Sequence, residues 1–206
     1  MAATASKRKI KSRPTYAISY GFLGGPAHSR RLCRLLGRQG YVQAQSVGQA
    51  DIVIAHSAGC WLIPESATPK LIVFVGMPLS EAHPHQTFKD ARQKNIQAFM
   101  YNFHLLRGLA IGLYSLYYWL TQPTRNRDII RRAKTAPEVT SRADTTVFIA
   151  NRDDPWPHSN RLEQYLGNHN WAFLSLPGSH NNIWEYSERY VAIIDHYAGL
   201  LAQANG

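Results

Sequence analysis

Short apolar runs alternate along the chain with segments of helical periodicity. The apolar runs predict buried strands near residues 15–20, 51–56, 70–76, 145–150 and 171–176, with a further candidate at 41–45. The helical periodicity predicts helices over 26–38, 58–63, 159–167 and 183–202. One face of the last helix collects its apolar residues Ile183, Tyr186, Tyr190, Ile193, Ile194, Tyr197 and Leu201. This alternation predicts an α/β fold whose mostly parallel central sheet is flanked by helices.

A serine stands just past the strand predicted at 51–56. Ser57 follows this strand and precedes Ala58 and Gly59, and Ala55 lies two residues before it. Small neighbours suit a sharp strand-to-helix turn, because the turn brings backbones close together and leaves the serine hydroxyl accessible. Ser57 is therefore a candidate nucleophile, and an ordinary turn at a strand end is the alternative.

Two later segments carry the groups that a serine nucleophile requires. A base must accept the serine proton, and an acid must orient that base. The strand predicted at 145–150 runs into an acidic turn with Asp153 and Asp154, and the strand at 171–176 runs into a loop with His180. All of these residues share the context of Ser57, since each follows the end of a predicted strand.

At this point the sequence resembles the α/β-hydrolase family, in which nucleophile, acid and histidine follow successive parallel strands in that chain order. The family's Leu-Pro-Gly-x-His motif is matched by residues 176–180. Its Gly-x-x-Asp-Pro-like turn is matched by residues 151–155, with Asn151 in place of the glycine. The resemblance spans about residues 15–200, apart from a divergent middle.

The resemblance implies a role for each of these side chains. Ser57 would be the nucleophile, His180 the base and Asp154 the orienting acid. Asp153 is the close rival of Asp154, and Glu81, after the strand predicted at 70–76, is a further alternative acid.

The residues after the first predicted strand look like the family's His-Gly-Phe-x-Gly loop. They read Gly-Phe-Leu-Gly-Gly over 21–25, and Tyr20 stands where the histidine usually stands. By resemblance, the backbone N–H groups of Phe22 and Ala58 form an oxyanion hole. Because the donors belong to the backbone, Tyr20 is compatible with that role. A plain glycine-rich turn before a helix is the alternative.

The strand pattern stops between residues 81 and 143, where the resembling family inserts a helical cap. We therefore expect one domain over 14–206, a cap at 81–143 and a basic flexible tail at 1–13. Residues 108–120 carry no charge. They are too few to cross a membrane, which takes about twenty residues. We expect them to form a buried cap helix that packs onto the sheet, while an acyl pocket or a lipid interface is the alternative.

Composition and charge favour a single soluble enzyme. The chain of 206 residues is 45% hydrophobic, enough for one core. Its 23 Lys and Arg against 13 Asp and Glu give a net charge of +10, and the basic tail suggests weak contact with an anionic surface. No nucleic-acid motif accompanies this charge, so specific nucleic-acid binding is not expected.

The cysteines and the start of the chain bear on cofactors and location. Cys33 and Cys60 lack metal-ligand spacing, and no histidine cluster completes a metal site, so neither a metal nor an organic cofactor is expected. The two cysteines are expected to stay reduced. No apolar segment typical of a secretory signal follows the basic start, which favours a cytoplasmic location.

The expected function is hydrolysis of a small-molecule carboxylic ester or thioester through an acyl-enzyme on Ser57. The family runs dehalogenase and epoxide-hydrolase chemistry through an aspartyl ester, so a serine at this turn disfavours both. The alternative is a non-catalytic α/β-hydrolase-like binding protein that uses its basic surface or its apolar cap surface.

Overall fold

Six parallel strands form the sheet at the centre of the part of the chain that the structure describes. The computed structural model describes residues 13–21, 24–78, 105–135, 138–154 and 166–204. The strands are β1 (Thr15–Ser19), β2 (Val42–Gln43), β3 (Ile52–His56), β4 (Leu71–Val75), β5 (Thr145–Asn151) and β6 (Ala172–Leu176). They lie in the order β2-β1-β3-β4-β5-β6, and every neighbouring pair is parallel. The predicted α/β class with a mostly parallel sheet is confirmed.

The central strands are apolar throughout because both faces of the sheet are covered. Every residue of β3 and β4 is buried, as expected for strands of a parallel sheet with helices on both sides. Alternate residues face opposite sides, so Ile52 and Ile54 join one core while Val53 and Ala55 join the other. The edge strand β6 instead alternates half-buried and exposed residues.

Helices cover the two faces of the sheet. They are α1 (Pro26–Arg38), α2 (Leu105–Thr121), α3 (Pro123–Thr135), α4 (Asn182–Glu185) and α5 (Ser187–Ala204). Proline at the first position of α1 favours a helix start there, since its missing N–H would have no partner within the helix. Leu32 and Leu36 of α1 share one core with Tyr190 and Ile194 of α5. Ile129 of α3 belongs to the core on the opposite face.

Several predicted elements differ in detail. The helix predicted at 183–202 is two helices, because the backbone leaves helical geometry at Tyr186 with φ −116° and ψ 46°. Tyr186 is therefore exposed, although Ile183 and Tyr190 from the predicted apolar face are fully buried. The helix predicted at 58–63 is a 3-10 helix, Ser57–Leu62. The strand predicted at 41–45 contains only β2, and the helix predicted at 159–167 lies mostly outside the described residues.

The apolar segment 108–120 is helical, as expected, but most of its described side chains are exposed. Within α2 the large side chains Leu113, Tyr117 and Leu120 are exposed, so the prediction that they pack onto the sheet is wrong. The segment is apolar all round, whereas only one side of a helix can contact the body of the protein. Within the described ranges, no helix is long and apolar enough to cross a membrane. The boundaries of the proposed cap at 81–143 and of the tail at 1–13 stay predictions.

Candidate active site

The candidate site lies at the carboxyl edge of the sheet. Because all the strands run parallel, the residues that follow them gather at this edge. Ser57 follows β3, Gly76 follows β4, Asp154 follows β5 and His180 follows β6. Ligand sites of open α/β sheets form outside the carboxyl ends of the strands, so this is the edge on which chemistry is expected.

Ser57 occupies a strained backbone conformation at the end of β3. Its φ is 55°, and it is the sole residue other than glycine with positive φ within the described ranges. Two glycines make room for this turn. A Cβ at Gly21 would lie 2.6 Å from the Ser57 Cβ, and a Cβ at Gly59 would lie 2.2 Å from the Ser19 carbonyl oxygen. Strain of this kind persists where the surrounding structure enforces it, often at functional sites.

Asp154 and His180 form a buried hydrogen-bonded pair. The His180 Nδ1 lies 2.7 Å from Asp154 Oδ2, and the two side chains are 7% and 0% exposed. When Nδ1–H donates to this carboxylate, Nε2 is the ring nitrogen that is free to accept a proton. Asp153, the rival acid, is exposed to solvent. Of the two candidates in this turn, Asp154 is thus the carboxyl group that contacts the histidine, while Glu81 lies outside the described residues.

Gly76 packs directly against this pair. Its φ is +57°, and a Cβ on it would lie 2.7 Å from Asp154 Oδ2 and 3.0 Å from His180 Nδ1. Both the backbone conformation and the space therefore require glycine. The sequence reading did not single out this residue, although its position at the end of a buried strand was visible.

His56 packs against His180 and hydrogen-bonds to its backbone. The His56 Nε2–H donates to the His180 carbonyl oxygen over 2.8 Å, and the two imidazole rings lie 4.7 Å apart. The Trp184 ring packs on the other side, 5.0 Å from His56. The pKa of His56 lies well below its usual value, mainly because the ring is fully buried and secondly because His180 is nearby. The ring is therefore neutral. His56 thus packs beside the candidate site.

This neutral histidine makes stability depend on pH. The unfolded chain protonates His56 near the ordinary pKa of about 6.5, whereas the folded chain protonates it only at a lower pH. The unfolded state therefore binds more protons in this window, and the free energy of unfolding falls as pH falls, by at most about 1.4 kcal/mol per pH unit for this group. His56→Gln retains a donor for the His180 carbonyl. We expect its free energy of unfolding to fall less on acidification than that of the wild type. Urea unfolding between about pH 7.5 and about pH 5 measures both slopes, and equal slopes would contradict this assignment.

A buried polar network joins the acid turn to the histidine loop. The Tyr190 hydroxyl donates to Asn151 Oδ1 over 2.8 Å, and the Asn182 Nδ2–H donates to the Pro177 carbonyl over 2.9 Å. Asn182 Nδ2 also lies 3.3 Å from the Tyr190 hydroxyl. Burial raises the pKa of Tyr190 to about 12, so it stays a donor. This network fixes the spacing of the loops that carry Asp154 and His180, and Asn151 had appeared only as a departure from the family's glycine.

Of the two proposed oxyanion donors, Ala58 lies within the described residues and Phe22 does not. Ala58 is buried at the start of the 3-10 helix, and a Cβ on Gly21 would lie 3.0 Å from the Ala58 nitrogen. Gly21 thus lies close to the Ala58 N–H. Phe22 lies outside the described residues, so its role stays a prediction.

Tyr20 and Arg125 connect this loop to helix α3. The Tyr20 hydroxyl lies 2.6 Å from Ser29 Oγ, and its ring contacts those of Tyr118 and Trp184. The Arg125 guanidinium donates to the carbonyl oxygens of Tyr20 and Gly21, the second over 2.8 Å, and lies 5.4 Å from the Tyr118 ring centre. Burial lowers the pKa of Arg125. A charged side chain thus ties α3 to the base of the proposed oxyanion loop.

The described residues hold no group of three or more His, Cys, Asp or Glu side chains arranged to bind a metal ion. Cys60 is fully buried behind the Ser57 turn, and burial raises the pKa of its thiol. The nucleophilic candidate at this edge is therefore the serine.

Comparison with known proteins extends these observations. A thioesterase domain from the curacin biosynthetic pathway is similar, with a TM-score of 0.57 and 11% identity over 89% of this chain and 91% of that one. Potato (Solanum tuberosum) epoxide hydrolase I is also similar, with a TM-score of 0.58 and 14% identity over 91% of this chain and 93% of that one. The chain has the α/β-hydrolase fold. A structure from a study of carboxylesterases of the thaumarchaeon Nitrososphaera gargenis has a TM-score of 0.56 and 9% identity over 94% of this chain and 92% of that one. No family model matches, and no curated protein matches in sequence.

The solved structures that share this fold differ in activity. They include a thioesterase domain, carboxylesterases and epoxide hydrolases. The fold therefore does not select a reaction, and the function has to be argued from the side chains at the carboxyl edge of this chain's own sheet.

Proposed function

We propose that the protein is a serine hydrolase that cleaves a carboxylic ester or thioester through an acyl-enzyme on Ser57. The observation that carries this proposal is the buried Asp154–His180 pair, 2.7 Å apart, at the same sheet edge as the positive-φ turn of Ser57. A carboxylate and an imidazole buried together are costly to desolvate, and such pairs cluster at functional sites, which favours a catalytic role.

Each side chain has a distinct task in the proposed reaction. His180 Nε2 takes the hydroxyl proton while Ser57 Oγ attacks the carbonyl carbon. Asp154 holds the imidazole through Nδ1 and stabilises the imidazolium that forms. The bond to the leaving alcohol or thiol then breaks, and His180 returns the proton to it. Water attacks the acyl-enzyme in the same way and frees Ser57.

Backbone donors stabilise the negative charge that develops on the substrate oxygen. We assign this task to the N–H groups of Ala58 and Phe22. The close approach of Gly21 to the Ala58 nitrogen supports the first of these, since both segments then border one small space. Each such donor contributes on the order of 3 kcal/mol to the transition state in other hydrolases.

The identity of the nucleophile separates this proposal from epoxide hydrolysis. Epoxide hydrolases are among the solved relatives by fold. In the α/β-hydrolase family that reaction runs through an aspartyl ester, whereas this chain has Ser57 at the turn after β3. Ester and thioester hydrolysis both proceed through an acyl-serine, and both kinds of enzyme occur among the relatives by fold.

A fluorophosphonate activity-based probe tests the proposal. The probe forms a covalent bond with an activated serine, so we expect the wild type to be labelled and Ser57→Ala not to be labelled. Ser66→Ala, at an exposed serine a few residues away, is the matched control and should label like the wild type. Intact-protein mass spectrometry measures the fraction labelled.

The other outcomes of this experiment distinguish a misassigned nucleophile from a non-catalytic protein. Equal labelling of the wild type and Ser57→Ala would overturn the assignment of the nucleophile. Absence of labelling in a folded wild type would instead favour the non-catalytic binding protein.

A further inference from the structure

Helix α2 presents a stripe of exposed apolar side chains. Within the α2 stripe, each member is between 48% and 69% exposed: Leu109, Leu113, Leu116, Tyr117 and Leu120. Leu109, Leu113, Leu116 and Leu120 recur every three or four residues, and Tyr117 lies beside Leu116 and Leu120, so all five share one side of the helix. Apolar groups exposed together in this way mark a site of contact with a partner or a membrane.

Helix α3 presents a basic face beside this stripe. The α3 basic face consists of the exposed residues Arg127, Ile130, Arg131 and Lys134, again at helical spacing. Residues 105–135 contain six basic side chains and one acidic one, Asp128, which pairs with Arg131 over 3.1 Å. The helix pair thus combines an uncharged apolar surface with a cationic one.

The inner sides of both helices are occupied, so these two faces point outward. Tyr118 of α2 packs closely on the body of the protein, since a Cβ added at Gly25 would lie 2.9 Å from its ring. In α3, Ile129 is 1% exposed, and Arg125 reaches the Tyr20 and Gly21 carbonyls. The two helices are consecutive, and Gln122 alone separates them. The stripe and the basic face therefore share the outer side of the pair.

We propose that the α2–α3 pair docks on the surface of an anionic phospholipid bilayer. The α2 stripe enters the interfacial layer, and the α3 basic face contacts lipid phosphates. The stripe from Leu109 to Leu120 is about 16 Å long, which suits a helix lying in the plane of the membrane. Tyr117 is a residue of the type favoured at that depth. The proposal concerns binding and does not depend on the catalytic assignment.

Charge selects this occupant over a second copy of the chain. If the stripes of two molecules paired, two chains with a net charge of +10 each would be brought together, and like charges would repel. An anionic bilayer instead attracts each exposed Lys or Arg, and every such residue strengthens binding about fivefold near the surface. The apolar stripe and the cationic face then act in the same direction.

Vesicle co-sedimentation of the full chain tests the proposal. We expect binding to vesicles that contain about one-third phosphatidylglycerol, and much weaker binding to pure phosphatidylcholine. Leu113→Glu with Leu120→Glu should weaken binding about tenfold or more, because charge is placed in the interfacial layer. Arg127→Gln, Arg131→Gln and Lys134→Gln together should weaken it about one hundredfold. The matched control is Leu200→Glu, at an exposed leucine of α5, which should bind like the wild type.

Other outcomes would overturn the proposal. Absence of wild-type binding to the anionic vesicles would do so. Unchanged binding by the leucine variant would assign the contact to another basic region, such as the tail at 1–13. A wild-type dimer in light scattering that the leucine variant lacks, without vesicle binding, would assign the stripe to self-association. A lower melting temperature of the leucine variant, again without vesicle binding, would mean that the chain itself covers the stripe.

Discussion

Asp154→Asn is expected to lower kcat for hydrolysis of a short p-nitrophenyl ester by about ten-thousandfold, with little change in KM. The present carboxylate accepts the Nδ1 proton of His180 over 2.7 Å and so keeps Nε2 free to accept the serine proton. An amide at this position can donate to Nδ1, which favours the tautomer with its proton on Nε2. In that tautomer His180 cannot act as the base toward Ser57.

Asp153→Asn is the matched control for this substitution. Asp153 is adjacent in sequence but exposed, and its backbone N–H donates to the Gly178 carbonyl over 3.1 Å, a bond that the substitution leaves in place. We expect its kcat to stay within about twofold of the wild type, since no catalytic contact is removed. Melting temperatures establish that both variants are folded. Loss of turnover in the Asp153 variant alone would show that the acid is misassigned.

The strands and the order of the candidate residues could be predicted because both depend on local sequence. A strand buried on both faces is apolar throughout, and β3, β4 and β5 accordingly lie within the predicted bounds to about one residue. Ser57, Asp154 and His180 each follow such a strand, so the parallel topology brings their segments to one edge. The proximity of Asp154 and His180 then follows from the neighbouring positions of β5 and β6.

The remaining features depend on contacts between distant segments. The need for glycine at Gly76 arises because Asp154 and His180 approach it from two other strands. The bond from Tyr190 to Asn151 spans 39 residues of sequence. Exposure of the α2 stripe was missed because its apolar composition alone is typical of a buried helix. The sequence does not show which side of α2 faces the body of the protein.

Gly59→Ala is expected to destabilise the protein by about 3 kcal/mol, because the added methyl group meets backbone that cannot move aside. Its Cβ would lie 2.2 Å from the Ser19 carbonyl oxygen and 2.8 Å from the Tyr20 carbonyl carbon. The Ser19 hydroxyl also donates to the Gly59 carbonyl over 2.7 Å, so separating the segments breaks a buried hydrogen bond. For a chain of this size the melting temperature should fall by roughly 6–12 °C.

Gly37→Ala provides the contrast that separates crowding from a general effect of replacing glycine. Gly37 lies in α1, and a Cβ there would meet no heavy atom within 4 Å other than its chain neighbours and the backbone of its own helix. Alanine is the better helix former, so this variant should be more stable by up to about 1 kcal/mol. Urea unfolding measures both free energies. If Gly59→Ala unfolded within about 0.5 kcal/mol of the wild type, the close approach of β1 to the turn after Ser57 would be contradicted. The opposite signs expected for the two variants tie the stability of the fold to the packing of the turn that carries the candidate nucleophile.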